Sequence, residues 1–156
     1  MTWAHVHLAI NHLPVILVPV AAAMLVTAWM RKSTDLTKAG LVILIVAAVS
    51  AGGAYLTGEP AESVVEDLPS VSDSAIEAHE EAALQAAVVT ALAGLLAVGA
   101  LATGHRPSGA PAWIAPATLV VAFVAAALLA RTANLGGLIS HPEIRGPVPI
   151  ALRPTM

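Results

Sequence analysis

Polar side chains that can bind metals or move protons lie at the ends of otherwise apolar segments in this chain. The first apolar segment begins with three histidines and an asparagine, which are His5, His7, Asn11 and His12. In a helix, at about 1.5 Å per residue, His12 would lie roughly 13 Å below Trp3, inside the apolar region. An imidazole within a membrane is costly unless it has a partner, so His12 marks a candidate functional site.

Every other apolar segment also brings polar side chains to one of its ends. The second segment ends at Glu59, the third begins with His79 near Glu81, and the fourth is followed by His141. Arg131 lies shortly before the end of the fourth segment. If these segments are helices that alternate in direction, we expect all of these groups to meet at one end of a bundle.

Helical spacing divides the histidines of the first segment between two faces. His5 and His12 are seven residues apart and share one face, whereas His7 and Asn11 are four apart and share another. His12 is the deepest of the group, and His79 would lie about 7 Å into the third helix from its start. We therefore expect His12 and His79 to approach each other at a similar depth.

A b-type haem is the first chemistry that this pattern indicates. Neutral imidazoles from two helices at similar depth can ligate haem iron from both sides, and His12 and His79 are the first choice. An arginine would balance the propionates, and an amide or a carboxylate would orient the imidazoles. The supporting candidates for this cofactor site are His7, His141, Arg131, Asn11 and Glu81.

Other chemistries fit the same side chains. A transition metal such as iron, zinc, copper or manganese accepts mixed imidazole and carboxylate ligands. Its candidate ligands are His7, His12, Glu59, His79, Glu81 and His141. Without any metal, the cluster would pass protons or bind a quinol head group. In a fourth interpretation the chain is an accessory structural subunit, whose alanine-rich helices pack on a larger membrane complex.

The composition indicates an integral membrane protein. The 156 residues are 58% hydrophobic and only 11% charged, and the mean hydropathy is +0.83. We predict an all-α fold, a single domain over 1–156 that forms a bundle of four transmembrane helices. The predicted elements are helices at about 3–30, 39–57, 75–103 and 113–139, and an extended tail at 144–156.

Several function classes are disfavoured by what the sequence lacks. The chain has no cysteine, which excludes disulfides, thiolate metal sites and C-x-x-C-H haem attachment. It shows no nucleophile–base pair and no phosphate-binding loop, so we expect neither a hydrolase nor a transferase, and we assign no catalytic residue. A redox role remains open, and nucleic acid is not an expected partner.

The basic residues predict the orientation in the membrane. Arg31, Lys32 and Lys38 follow the first helix and Arg106 follows the third, whereas 58–77 carries no basic residue. By the positive-inside rule, both termini lie outside the bacterial inner membrane. The polar end of the bundle would then face the periplasm.

Five short motifs give the chain a resemblance that touches all four predicted helices. They are N-H-L-P at 11–14, T-G-E-P at 57–60, H-E-E at 79–81, N-L-G-G at 134–137 and H-P-E at 141–143. With these motifs the chain resembles a family of small, uncharacterised four-helix bacterial membrane proteins. It is similar to a broader group whose members occur joined to Rieske or c-type cytochrome domains.

The resemblance implies electron transfer at the outer face of the membrane. Its candidate partners, besides the lipid bilayer, are a quinone, a periplasmic cytochrome, a Rieske protein and further copies of the same chain. The broader group has a histidine before a proline in the first helix and another in the third. This chain departs from that pattern by carrying Glu59 and Glu81, which keeps a non-haem metal open.

Overall fold

The computed structural model describes residues 2–64, 71–104 and 111–141, and all regular structure in these ranges is helical. The helices are α1 (Trp3–Arg31), α2 (Thr34–Leu56), α3 (Gly58–Glu62), α4 (Asp73–Gly104) and α5 (Ile114–Ser140). All of them except α3 are long and apolar enough to cross a membrane. The predicted all-α bundle of four membrane-spanning helices is therefore confirmed. The predicted tail 144–156 lies outside the described residues.

The four long helices form a ring in the order α1, α2, α4, α5. Two hairpins, α1 with α2 and α4 with α5, make the most extensive contacts. The hairpins meet through α2 and α4, and the least extensive of these contacts, between α1 and α5, closes the ring. Exchanging the two hairpins maps each of these contacts onto another, so the ring has the contact pattern of an approximate two-fold arrangement. We call the end at which α1 and α4 begin the histidine end.

The outward sides of the ring are apolar. Large hydrophobic side chains on all four long helices are exposed, among them Ile16, Val49, Leu95 and Val120. In water such faces would be unstable, whereas hydrocarbon solvates them well. The protein is therefore a membrane protein whose helices contact the lipid bilayer.

The interior is packed with small side chains, as the alanine content predicts. Ala47 of α2, Ala93 of α4 and Ala125 of α5 are all completely buried. Helices α2 and α4 approach closely, since a β-carbon added at Gly94 would lie 2.5 Å from the Cβ of Ala48. Small residues let helix backbones come this close, which is how membrane helices gain packing energy.

Helix α2 starts earlier than predicted. It begins at Thr34 rather than near residue 39, because Ser33 caps it and accepts a hydrogen bond from the Leu36 backbone N–H at 3.3 Å. The charged residues Asp35 and Lys38 therefore lie in the first turns of a helix and not in a loop. Only Lys32 and Ser33 connect α1 to α2.

The other helix starts also differ in detail. Helix α4 begins at Asp73 rather than at residue 75, and the backbone N–H groups of Ala75 and Ile76 bond to the carbonyl of Ser72. Ser74, the first residue of an S-x-x-E capping pattern in the sequence, lies inside this helix. The short helix α3 was not predicted from the sequence.

Candidate functional site

The buried stripe of α1 shows which of its polar residues face the interior. Pro14 and Val18 are buried on α1, and stepping back from Pro14 by three and then four residues gives Asn11 and His7. Both of these polar residues are partly buried. His7 and Asn11 therefore extend the inward-facing stripe of α1 to the histidine end.

The buried stripe of α4 leads to a histidine in the same way. Ala82, Ala86 and Thr90 are buried on α4, and His79 lies one step further towards the histidine end. These small residues form a buried face of α4. His79 is itself partly buried.

His7 fastens α1 to the end of α2. Its Nδ1 lies 3.0 Å from the carbonyl oxygen of Ala54 and 3.2 Å from Oγ1 of Thr57. A carbonyl only accepts hydrogen bonds, so Nδ1 carries the proton and Nε2 keeps its lone pair. Gly58 follows Ala54 by four residues, and a β-carbon there would lie 3.9 Å from Cε1 of His7.

His79 fastens α4 to α5 through the same kind of contact. Its Nδ1 lies 3.1 Å from the carbonyl oxygen of Thr132, so this nitrogen is also the protonated one. Gly136 follows Thr132 by four residues, and a β-carbon there would lie 3.0 Å from Cε1 of His79. Any larger residue at this position would crowd the ring, so Gly136 gives the imidazole its room.

Histidine and glycine alternate around the ring of helices at this end. The order is His7 on α1, Gly58 at the start of α3 just after α2, His79 on α4 and Gly136 on α5. His7 lies in the first turns of α1 and His79 in the first turns of α4, so both imidazoles belong to the histidine end. None of the described residues forms a hydrogen bond to Nε2 of either ring. The arrangement thus presents two imidazole lone pairs among residues with little or no side chain.

Asn11 adds an acceptor to this part of the bundle. Its Oδ1 is buried, and no described residue donates a hydrogen bond to it. Asn11 lies one turn after His7 along α1, about 6 Å further from the histidine end of the bundle.

His12 and His5 lie on the exposed side of α1. Nδ1 of His12 is 2.6 Å from the carbonyl oxygen of Leu8 in its own helix, and Nδ1 of His5 is 2.7 Å from Oγ1 of Thr2. The predicted division into two faces is confirmed, since five residues turn a helix by about 140° from His7 to His12. The structure therefore places His7, and not His12, on the inward side with His79.

Arg131 and Glu81 lie on the outer surface of α4 and α5. Arg131 donates from one of its terminal nitrogens to Oε1 of Gln85 at 3.2 Å, and Gln85 donates to Oε1 of Glu81 at 3.3 Å. All three side chains are exposed. Neither candidate therefore faces the two inward histidines.

Two further candidates lie on the surface. Glu59 is exposed on α3, and His141 is exposed immediately after α5. Among the residues that the structure describes, no three histidine, aspartate or glutamate side chains come together as a metal site. The set of His12, Glu59, His79 and His141 is therefore not assembled within the described residues.

Five positions of the site were not among the residues proposed from the sequence to bind a cofactor or a metal, although three of them belong to the T-G-E-P and N-L-G-G motifs. They are Ala54, Thr57, Gly58, Thr132 and Gly136, which supply backbone carbonyls, a hydroxyl and space rather than ligands. Two of them carried a signal, because Gly58 and Gly136 lie near the ends of helices that pack beside a histidine.

Fold and site define an all-helical membrane protein with paired inward histidines at one end of its bundle. No family model, no curated protein and no solved structure matches the chain.

Proposed function

We propose that the protein is a membrane electron-transfer component that binds b-type haem between His7 and His79. The proposal rests on which ring nitrogen carries the proton in each of the two imidazoles. Each donates Nδ1–H to a backbone carbonyl, so each offers a neutral Nε2 lone pair. Iron-ligating histidines are oriented by this kind of hydrogen bond from the other ring nitrogen.

The number of inward ligands favours haem over a directly bound metal. A porphyrin supplies four nitrogens to its iron, so two imidazoles complete the coordination. An ion held by protein alone needs three or more side chains, and no three such side chains come together among the described residues. Gly58 and Gly136 add no side chain next to the two rings, so no bulky residue at these positions competes with a flat group. When bound, haem supplies one-electron transfer; the chain supplies the ligands and an apolar wall.

The distribution of charge supports a site at the periplasmic face. Arg31, Lys32 and Lys38 lie at the end opposite the histidines. The positive-inside rule then puts the histidine end outside, in a bacterial inner membrane. From there the haem would exchange electrons with a quinone in the bilayer and with a c-type cytochrome or a Rieske protein in the periplasm.

Optical spectra of the detergent-purified protein test the proposal. Oxidised and dithionite-reduced samples, prepared with an adequate haem supply, should differ by sharp b-type bands. His7→Ala and His79→Ala should each lose these bands, and added imidazole should restore part of them by filling the vacated position. His12→Ala is the matched control, because this exposed histidine on the same helix should be dispensable.

Three outcomes would contradict the proposal in different ways. Bands that survive both inward substitutions would move the ligands elsewhere. Loss of the bands in His12→Ala would favour the exposed face of α1. A colourless protein would reject haem; metal analysis of the same sample would then separate a metal-binding protein from an accessory subunit.

A further inference from the structure

The buried oxygen of Asn11 points to a second ligand at the histidine end of the bundle. We propose that Oδ1 of Asn11 accepts a hydrogen bond from the hydroxyl of a membrane hydroquinone. The choice of hydroquinone, among hydroxyl-bearing lipids, rests on the proposed electron-transfer function. The need for a donor rests on the structure alone.

The side-chain oxygen of Asn11 is an acceptor without a donor among the described residues. Oδ1 of Asn11 is buried and no described donor reaches it. Buried polar atoms are almost always hydrogen-bonded, because leaving one unpaired in apolar surroundings is costly. The buried threonines in the same bundle follow this rule, since Thr90 and Thr118 donate to carbonyls of their own helices. Asn11 is the exception among the described residues and needs a donor from outside them.

The position of Asn11 restricts the kind of molecule that can supply this donor. Asn11 lies on the inward stripe of α1, about 27 Å along the helix from Trp29 at the other end. A ligand at this depth must partition into lipid, carry a hydroxyl and be small enough to enter between helices. The head group of a hydroquinone meets all three requirements.

The contact between α1 and α5 offers a path from the bilayer to Asn11. Of the contacts that form the ring of helices, the one between α1 and α5 is the least extensive. Helix α1 carries Asn11, so a ligand that separates this pair reaches the acceptor without crossing the closely packed α2–α4 contact. The proposed haem ligand His7 lies one turn away on the same stripe.

The test compares a ligand that has hydroxyl donors with one in which methyl groups replace both hydroxyl hydrogens. A short-tailed hydroquinone and its dimethyl ether are titrated into the detergent-purified protein, with any haem kept reduced so that no electron moves. We expect the hydroquinone to bind the unsubstituted protein about tenfold more tightly than the ether, because a buried acceptor left unpaired costs affinity. Asn11→Leu should remove this difference, and Asn134→Leu, at an exposed position of α5, should keep it.

Two results would overturn the inference. Equal binding of the two ligands to the unsubstituted protein would show that a water satisfies Asn11; this comparison needs no variant to fold. A preference for the hydroquinone that persists in Asn11→Leu would place the ligand elsewhere. Haem content measured on the same samples separates this inference from the proposed function. A preference for the hydroquinone in protein without haem would reject only the proposed function. Haem in protein without that preference would reject only the role of Asn11.

Discussion

The imidazole of His79 lies directly against Gly136 of the neighbouring helix. A β-carbon at position 136 would be 3.0 Å from Cε1 and 3.3 Å from Nδ1 of this ring. The same ring nitrogen donates to the carbonyl of Thr132, one turn before the glycine. The hydrogen bond of His79 to Thr132 therefore depends on the glycine, because a side chain at 136 would displace the ring from its acceptor.

Gly136→Ala should disturb the candidate site more than any comparable glycine substitution. The added methyl group requires the ring to move by a few tenths of an ångström, which weakens its hydrogen bond to Thr132. We expect a lower haem-to-protein ratio and a lower melting temperature. Gly137→Ala is the control, because no described atom lies within 4 Å of a β-carbon there. Identical behaviour of the two variants would show that this contact does not matter.

Gly94→Ala should destabilise the bundle without touching the site. Its new methyl group would meet the Cβ of Ala48 at 2.5 Å, so α2 and α4 must separate. Overpacking of this kind costs about 1–3 kcal/mol, measurable by unfolding in mixed detergent micelles. Gly99→Ala on the same helix should cost far less, since no described atom is near.

A compensating exchange makes the Gly94 prediction sharper. Adding Ala48→Gly to Gly94→Ala moves the methyl group from α2 to α4 and should recover much of the lost stability. Two residues in contact are expected to be coupled in this way. If the effects of the two substitutions simply add, the helices are not held apart by this pair of methyl groups.

Thr57→Val should loosen the contact between α1 and the end of α2 only partly. The hydroxyl of Thr57 lies 3.2 Å from Nδ1 of His7, but that nitrogen keeps the carbonyl of Ala54 at 3.0 Å. We expect a loss of about 0.5–1.5 kcal/mol in unfolding free energy, as for one hydrogen bond. Thr27→Val is the control, because this exposed threonine bonds only to Ala23 within its own helix. A loss no greater than in the control would mean that Thr57 does not support His7.

Arg131→Gln should leave the haem content unchanged. The arginine is exposed and points to Gln85 on the surface of α4, so it is not placed to balance propionates between the inward histidines. Its interaction with that exposed partner should contribute little to stability, about 0.5 kcal/mol or less. Spectra and melting curves of the variant check both statements. Loss of haem from Arg131→Gln would restore the arginine to the cofactor site.

The composition and the long apolar runs were enough to predict the fold, but they did not settle the rotation of α1. Depth along a helix follows from counting residues, and by depth His12 was the better candidate. The direction of a side chain depends on which stripe packs against the neighbours. Because α1 is apolar on every side, its sequence does not show which face is buried, and only the packing of Pro14 and Val18 selects His7.

Helix α4 was easier to interpret because its buried face differs in size from its other faces. The small residues Ala82, Ala86 and Thr90 mark one side, and His79 lies on the same side. The roles of Ala54 and Thr132 were out of reach of sequence reasoning, since their carbonyls are the acceptors and every residue has a carbonyl. A backbone carbonyl inside the membrane can accept the hydrogen bond of an imidazole as well as a side chain can, so the sequence need not carry a polar residue at the acceptor position.

The use of main-chain oxygens to hold both imidazoles has a consequence for evolutionary drift. Nδ1 of His7 and of His79 bonds to a carbonyl, so the side chains at 54 and 132 are free to change among related chains. The glycine at 136 is not free, because its missing side chain is what lets the ring approach. Divergence should therefore leave the histidines and this glycine in place, while the residues that provide the acceptors vary widely.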